Sequence, residues 1–176
     1  FDLRTGWDLS CPSARNTCWE RLHVEDPSLI IGSPMCGPFS TLTMLTPDKT
    51  ERMKAMYREA YEHLKFIASV YLWQYNRGKY FLHEHPFTAT SWRLKFMVAL
   101  RGLPGIDLIV GDQCPFGQGP YYKDENGNHS WALVRKRTGW LTNHPRLKVV
   151  FNVKCPNCRL PQHFVTSKLN SCRWSC

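Results

Sequence analysis

No run of about 18 or more apolar residues occurs in the chain, which argues against a membrane-spanning helix. A basic-then-apolar leader ending in a small-residue cleavage site is also missing, so no signal peptide is expected. Internal repeats and low-complexity tracts are absent, which excludes solenoids and disordered tails. Acidic residues are scarce beside basic ones: 14 Asp and Glu stand against 23 Lys and Arg, for a net charge of +9. A basic domain attracts polyanions through its summed field, so DNA, or RNA, is the partner class that the charge favours. A basic soluble protein with no such partner would show the same arithmetic. The chain also lacks an initiating Met. Phe1-Asp2-Leu3 reads as the end of a strand, so the expectation is a piece of a larger polypeptide or assembly.

What is present is globular: 176 residues, 43% apolar and 13% aromatic, enough for one domain with a real core. Residues 1–150 read as that domain and 151–176 as a Cys-rich tail. The eight cysteines are unevenly placed. With no secretion signal they point to a reducing, intracellular setting (nuclear or cytoplasmic), with thiols used for chemistry or metal.

Periodicity predicts a short helix over Arg15–His23 and a long one from about Asp48 to Asn76. In the long helix Met53, Met56, Tyr57, Ala60, Leu64, Ile67, Ala68 and Tyr71 recur at three- and four-residue spacing as a core stripe. Thr46-Pro47-Asp48 would cap it and Gly78 would stop it. Buried strands are expected at Ser28–Gly32, Lys79–His83 and Ile106–Val110, with residues 90–101 helical. Trp131–Arg137 and Gly139–Asn143 look like short strands, with antiparallel pairing open to them. Strand, helix, strand, helix, strand argues for crossovers and a largely parallel α/β sheet. Ligands of such a sheet sit at the C-terminal strand ends. Cys36, Glu84 and Asp112 each follow or close a predicted strand there.

Cys36 lies in Ser33-Pro34-Met35-Cys36-Gly37-Pro38-Phe39-Ser40, a loop that neither helix nor strand can enter. A buried Cys is ordinarily an inert small hydrophobe; in a shaped, partly exposed loop its thiolate becomes a nucleophile. Glu84 stands between His83 and His85, and strand alternation turns it to the face opposite both. A solvent-facing strand end, a partner for Cys36, and a Cys–His hydrolase using His83 or His85 are all open readings of this segment.

These segments together resemble the DNA cytosine-5 methyltransferases, in their compact, phage-like form. Ser33–Ser40 resembles the family's Pro-Cys loop, and Phe81-Leu82-His83-Glu84-His85-Pro86 its apolar strand ending in Glu-Asn. Asp112-Gln113-Cys114-Pro115-Phe116-Gly117 and Arg135-Lys136-Arg137-Thr138-Gly139-Trp140-Leu141-Thr142-Asn143 resemble segments of the compact members. The order and spacing agree over roughly residues 28–143. The resemblance implies a Rossmann-like, class I methyltransferase sheet, mostly parallel and N-terminally truncated. It implies S-adenosylmethionine as methyl donor, Cys36 as nucleophile, Glu84 as the group that holds the base, Arg135 and Arg137 near the pocket, and base flipping in DNA. Asp2 would meet the cofactor's adenine. Met35 stands for the family's Pro, His85 for its Asn and Leu133 for a Gln, and no glycine-rich cofactor loop occurs. A binding module that has lost the cofactor is therefore the second expectation. In the tail, Cys155-Pro-Asn-Cys158 has knuckle spacing, and Cys172 with Cys176 (or His163) would complete four ligands for a structural zinc.

Overall fold

Pro12 opens helix α1 (Pro12–Glu25), in the first turn, where its missing N–H costs nothing. The helix stops at Asp26, whose left-handed φ of 46° lets its N–H return to Leu22 O at 3.1 Å. This helix extends beyond Arg15–His23 at both ends. Strand β1 (Leu29–Gly32), a 3-10 turn over Gly37–Phe39 and the one-turn helix α2 (Thr41–Met44) follow. The structure is a computed structural model that describes residues 5–44, 50–117, 121–123, 129–131, 133–155 and 163–165.

Helix α3 (Glu51–Asn76) is capped by Thr50, whose hydroxyl accepts the Met53 N–H at 3.3 Å, with Glu51 favourable in the first turn. The cap expected at Thr46-Pro47-Asp48 falls outside the described residues. One stripe of α3 (Ala60, Leu64, Ala68, Tyr71) joins the main core with Phe39, Phe81, Trp92, Met97 and Leu141. A second stripe, Phe66 and Val70, packs on Leu9, Cys18 and Leu22 of the α1 region. The expected stripe begins too early, because Met56 and Tyr57 are exposed. The reason is length. A helix of 26 residues runs roughly 39 Å, whereas the seven residues of the strand after it span about 23 Å. The helix outruns the sheet it crosses. At its far end Gly78, with φ 67°, gives its N–H to Tyr75 O at 2.9 Å and turns the chain.

Strand β2 (Tyr80–Pro86) leads to a 3-10 turn over Thr90–Arg93 and helix α4 (Lys95–Arg101). The expected single helix over 90–101 is broken at Leu94, which is extended at φ −66° and ψ 138°. Strand β3 (Asp107–Asp112) ends in a 3-10 turn over Cys114–Phe116. The short strands β4 (Tyr121–Lys123), β5 (His129–Trp131) and β6 (Leu133–Arg135) then precede β7 (Arg137–Thr142), α5 (Pro145–Val150) and β8 (His163–Val165).

The principal sheet has the order β1-β2-β7-β3, with β4-β5 and β6-β8 as separate pairs. Strands β1 and β2 are parallel, while β7 is antiparallel to both β2 and β3. The architecture is therefore mixed α/β, and the largely parallel sheet expected from the sequence is corrected: two of its three pairings are antiparallel. The cause is the connection into β7. Parallel neighbours need a crossover, usually a helix; α3 and α4 lie in the first two connections. Among the described residues, the 113–136 stretch carries a 3-10 turn and short strands but no helix. It returns the chain in the reverse direction, and β7 inserts between β2 and β3. Since β7 opposes both, β1, β2 and β3 all run one way, and their C-terminal ends share one edge.

Asn143 extends the pairing beyond β7 with its side chain, accepting Phe81 N–H at 3.0 Å and donating to Lys79 O at 2.8 Å. The sheet's other face is crossed by residues 151–155. Asp112 N–H donates to Val153 O at 2.9 Å. A Cβ on Gly111 would lie 2.1 Å from Phe151 O, so only glycine allows the segment this close. No helix among the described residues is long and apolar enough to cross a membrane.

Candidate functional site

Strand direction decides what meets at the C-terminal edge. Alternation along β2 buries His83 and His85 on the helix-covered face and turns Glu84 to the other. There the Glu84 carboxylate, 14% exposed, is held from three directions. Ser33, one residue past β1, donates its hydroxyl to Oε2 at 2.5 Å. Gln113, one residue past β3, donates its amide to Oε1 at 3.0 Å. The Lys136 ammonium, at the break between β6 and β7, lies 3.3 Å from the same oxygen. The Lys136 carbonyl also accepts the Gln113 N–H at 3.0 Å, which ties the cation to the exit of β3.

Cys36 lies three residues beyond Ser33 and is half-buried. Its loop is fixed by what surrounds it. The Cys36 carbonyl accepts Phe39 N–H at 3.0 Å to start the 3-10 turn. Thr43 Oγ1 donates to Gly37 O at 3.1 Å, and Thr90 Oγ1 to Phe39 O at 3.2 Å. Phe39 is fully buried and packs edge-on against Tyr57, with ring centroids 5.4 Å apart. Pro34, Pro38 and Phe39 thus anchor the loop, and the thiol sits on a fixed frame at the border of solvent.

His83 and His85 are not part of this arrangement. His83 Nδ1 shares a hydrogen bond with Tyr71 Oη at 3.2 Å. His85 stacks on His83 at 5.4 Å and meets Phe39 and Trp92 edge-on or tilted, each at 6.0 Å. Burial drives the His83 pKa well below its ordinary value and takes that of His85 down to about 4, so both imidazoles are neutral at pH 7. Tyr71 is shifted upward, again chiefly by burial.

Beside Gln113 an open cavity of about 370 Å³ is lined by Gln113, Phe116, Trp140 and Phe151. Trp140 pairs directly with Glu84 in the β2–β7 register and so faces the same side. Its ring stacks on Phe151 at 4.1 Å, and its buried Nε1 has no hydrogen-bond partner. An aromatic slot therefore adjoins the carboxylate.

Of the remaining residues singled out from sequence, Arg137 is exposed, with its guanidinium 5.0 Å from the Phe87 ring centroid. Arg135 contributes backbone to β6 opposite Val165, and its side chain lies outside the described residues. Asp2, Cys158, Cys172 and Cys176 also lie outside them. Cys155 is buried, and its N–H donates to Asp112 Oδ2 at 2.9 Å. Burial, then the adjoining Cys155 thiol, then Asp112 push the Cys114 thiol up to about 12, so Cys114 is no nucleophile at neutral pH. Among the described residues no group of three or more His, Cys, Asp or Glu forms a metal site.

Sequence reasoning missed Ser33, Gln113 and Lys136. The signal for the first two was position, since each immediately follows a strand that ends on the shared edge. Lys136 carried no local signal, since it stands between two equally basic residues at the break between β6 and β7.

S-adenosylmethionine is not fitted by the described residues. The helix that precedes β1 is entered through Cys11-Pro12 rather than a glycine turn, and its N-cap makes no side-chain hydrogen bond. The adenine-facing candidate Asp2 is outside the described set. No family model matches the chain, and no curated protein or solved structure does either.

Proposed function

We propose that this chain is the base-activating part of a cytosine-5 methyltransferase-like, Rossmann-like fold, acting on a pyrimidine in nucleic acid, DNA first, through Cys36 and Glu84. The observation that carries the reading is the Glu84 carboxylate gripped by Ser33, Gln113 and Lys136 at the edge where the Cys36 loop also emerges. Strands β1, β2 and β3 run one way with helices in their connections, and mixed sheets with a reversed strand are common among doubly wound folds. Ligands of such sheets lie outside the carboxyl strand ends. The net charge of +9 suits a polyanion.

The chemistry uses these groups in order. Cytosine C5 is a poor nucleophile until a group adds at C6. The Cys36 thiolate forms the S–C6 bond, and the C5–C6 π pair moves onto C5 in conjugation with C4 and N3. Glu84 holds the N3 and N4 edge, accepting from N4–H and sharing a proton at N3. Ser33, Gln113 and Lys136 keep the carboxylate in place while it does so. With no electrophile added at C5 the addition reverses: the pair on C5 re-forms the C5–C6 double bond as S–C6 breaks, which returns the ring and the thiolate. The net charge of +9 equally suits a second reading, a nucleic-acid-binding module on the same fold. A Cys–His hydrolase has less support, because both nearby histidines are buried and neutral on the face turned from Glu84.

The test is a duplex carrying 2-pyrimidinone in place of one cytosine, a ring that captures an attacking thiolate without any methyl donor. A denaturation-resistant adduct is expected, absent in Cys36→Ser and formed more slowly in Glu84→Gln. Salt-sensitive DNA binding with no adduct would overturn the enzymatic reading in favour of the binding module.

A further inference from the structure

The aromatic cavity of about 370 Å³ adjoins Glu84 but takes no part in the chemistry at Cys36. Its size is that of a small-ligand site. Gln113 joins the two places: its amide donates to Glu84 Oε1 at 3.0 Å, while its carbonyl oxygen accepts no hydrogen bond among the described residues. Phe116, on the opposite wall, is 51% exposed. It is nonetheless fixed. Its N–H donates to Gln113 O at 3.0 Å, and Gly117 N–H closes the same turn on Cys114 O at 3.0 Å. The Phe116 ring tilts against Phe151 at 5.7 Å between centroids, and Phe151 stacks in turn on Trp140. A large ring held half in solvent by a hydrogen-bonded turn gains by being covered.

The walls select the occupant. Three aromatic rings favour a flat ring, and the Gln113 carbonyl favours one with an N–H on its edge; a nucleobase has both. Charge agrees. Lys136 is tied to the cavity through its carbonyl, which accepts Gln113 N–H, and its side chain is 37% exposed. Lys154 is exposed on the segment that carries Phe151 and donates to Val110 O. Asp112, by contrast, is buried and accepts Cys155 N–H, so the cations are what a phosphate would meet at this surface. Spacing sets which base. Trp140 is the direct cross-strand partner of Glu84, and such pairs keep their Cβ atoms about 5 Å apart. That is close to the step of about 3.4 Å between successive nucleotides of one strand.

We propose, resting on Glu84 as the holder of a base, that the slot of Phe116, Trp140 and Phe151 stacks the neighbouring nucleobase of the same strand. Two successive bases are then out of any duplex, and the favoured partner is a single-stranded segment. A duplex has to open the adjoining pair as well before it fits. Stacking on aromatic rings is tolerant of sequence because every base has a π-face. The slot therefore supplies affinity and register rather than a choice of base.

The experiment measures equilibrium binding of the full chain, with no methyl donor, to single-stranded DNA carrying one cytosine among thymines. An abasic site beside the cytosine, on one of its two sides, should weaken binding about fivefold or more. An abasic site four nucleotides away should stay within about twofold. Phe116→Ala should weaken the intact strand by a similar factor and lose nothing further on the abasic strand, since both remove the same contact. Phe116→Trp should retain the affinity, and Val98→Ala, exposed on α4, should leave it unchanged. In the unaltered chain, 2-aminopurine at the neighbouring position should lose fluorescence on binding, a readout that does not depend on a variant folding. Equal affinity for the intact strand and for strands abasic on either side would overturn the proposal. So would additive losses from Phe116→Ala and the abasic site, or no binding of single-stranded DNA. A Cys36 adduct with no dependence on the neighbouring base strikes the slot alone, whereas base-dependent binding with no adduct strikes the enzymatic reading alone.

Discussion

Ser33 and Glu84 are joined by a 2.5 Å hydroxyl-to-carboxylate hydrogen bond that spans 51 residues of sequence. It leaves the two carboxylate oxygens differently employed, with Oε2 on Ser33 and Oε1 shared by Gln113 and Lys136. Bonds to a charged group are worth about 1.5–3 kcal/mol, and the lower figure corresponds to about tenfold in rate. Ser33→Ala should therefore slow adduct formation with the 2-pyrimidinone duplex about tenfold. The exposed serine contributes little to the core, so thermal unfolding should barely move. An adduct rate equal to that of the parent chain would show that the bond does not position Glu84.

Lys136 rather than Arg137 reaches the carboxylate. Lys136→Met should slow adduct formation by roughly fivefold or more, given the partly screened ion pair. Arg137→Met loses a contact with the Phe87 ring and should stay within about twofold. Rates measured on the two variants side by side decide the matter, and a larger effect at Arg137 would contradict the geometry.

Acid should weaken the fold before the ordinary carboxylates titrate. His85 has its pKa lowered from 6.5 to about 4 in the folded chain, chiefly by burial. Its contribution is complete above pH 6.5 and is lost as pH falls toward 4, because the unfolded chain takes up a proton that the folded one refuses. At about 1.4 kcal/mol per unit this amounts to roughly 3 kcal/mol, and His83 acts in the same direction. Urea midpoints measured between pH 7 and 4.5 should fall steadily, with a shallower slope in His85→Leu. Equal midpoints at the two ends of that range would refute the assignment.

Gly111→Ala should cost about 2–3 kcal/mol, since its methyl would meet backbone, which cannot swing aside. Gly37→Ala meets nothing within 4 Å and serves as the reference. Denaturant unfolding of both variants checks this, and similar midpoints would mean that the 151–155 segment is free to lift.

The loops were the most legible part of the sequence. Proline and glycine around Cys36 forbid regular structure, and alternation alone separates Glu84 from His83 and His85. The three co-directional strands could likewise be read from strand–helix spacing. The place of β7 could not, because order within a sheet is set by pairings between residues far apart, such as Glu84 with Trp140 and Ile109 with Trp140. Lys136 was hidden for a related reason: Arg135, Lys136 and Arg137 are equally basic, and only the break between β6 and β7 aims the middle one at Glu84. The slot of Phe116, Trp140 and Phe151 depends on how the chain crosses β3, which no local pattern records.

Strand β7 sits between β2 and β3 yet is made after both. During synthesis the first two strands can pair as soon as residue 86 is available, but β3 has no partner in this sheet until Arg137–Thr142 arrives. Until then two strand edges stay open, and unpaired edges invite association with other chains. Chains halted before Arg137 should therefore aggregate or be held by chaperones, whereas chains extended past Asn143 should not. The last strand of this sheet to be made is the one that closes it.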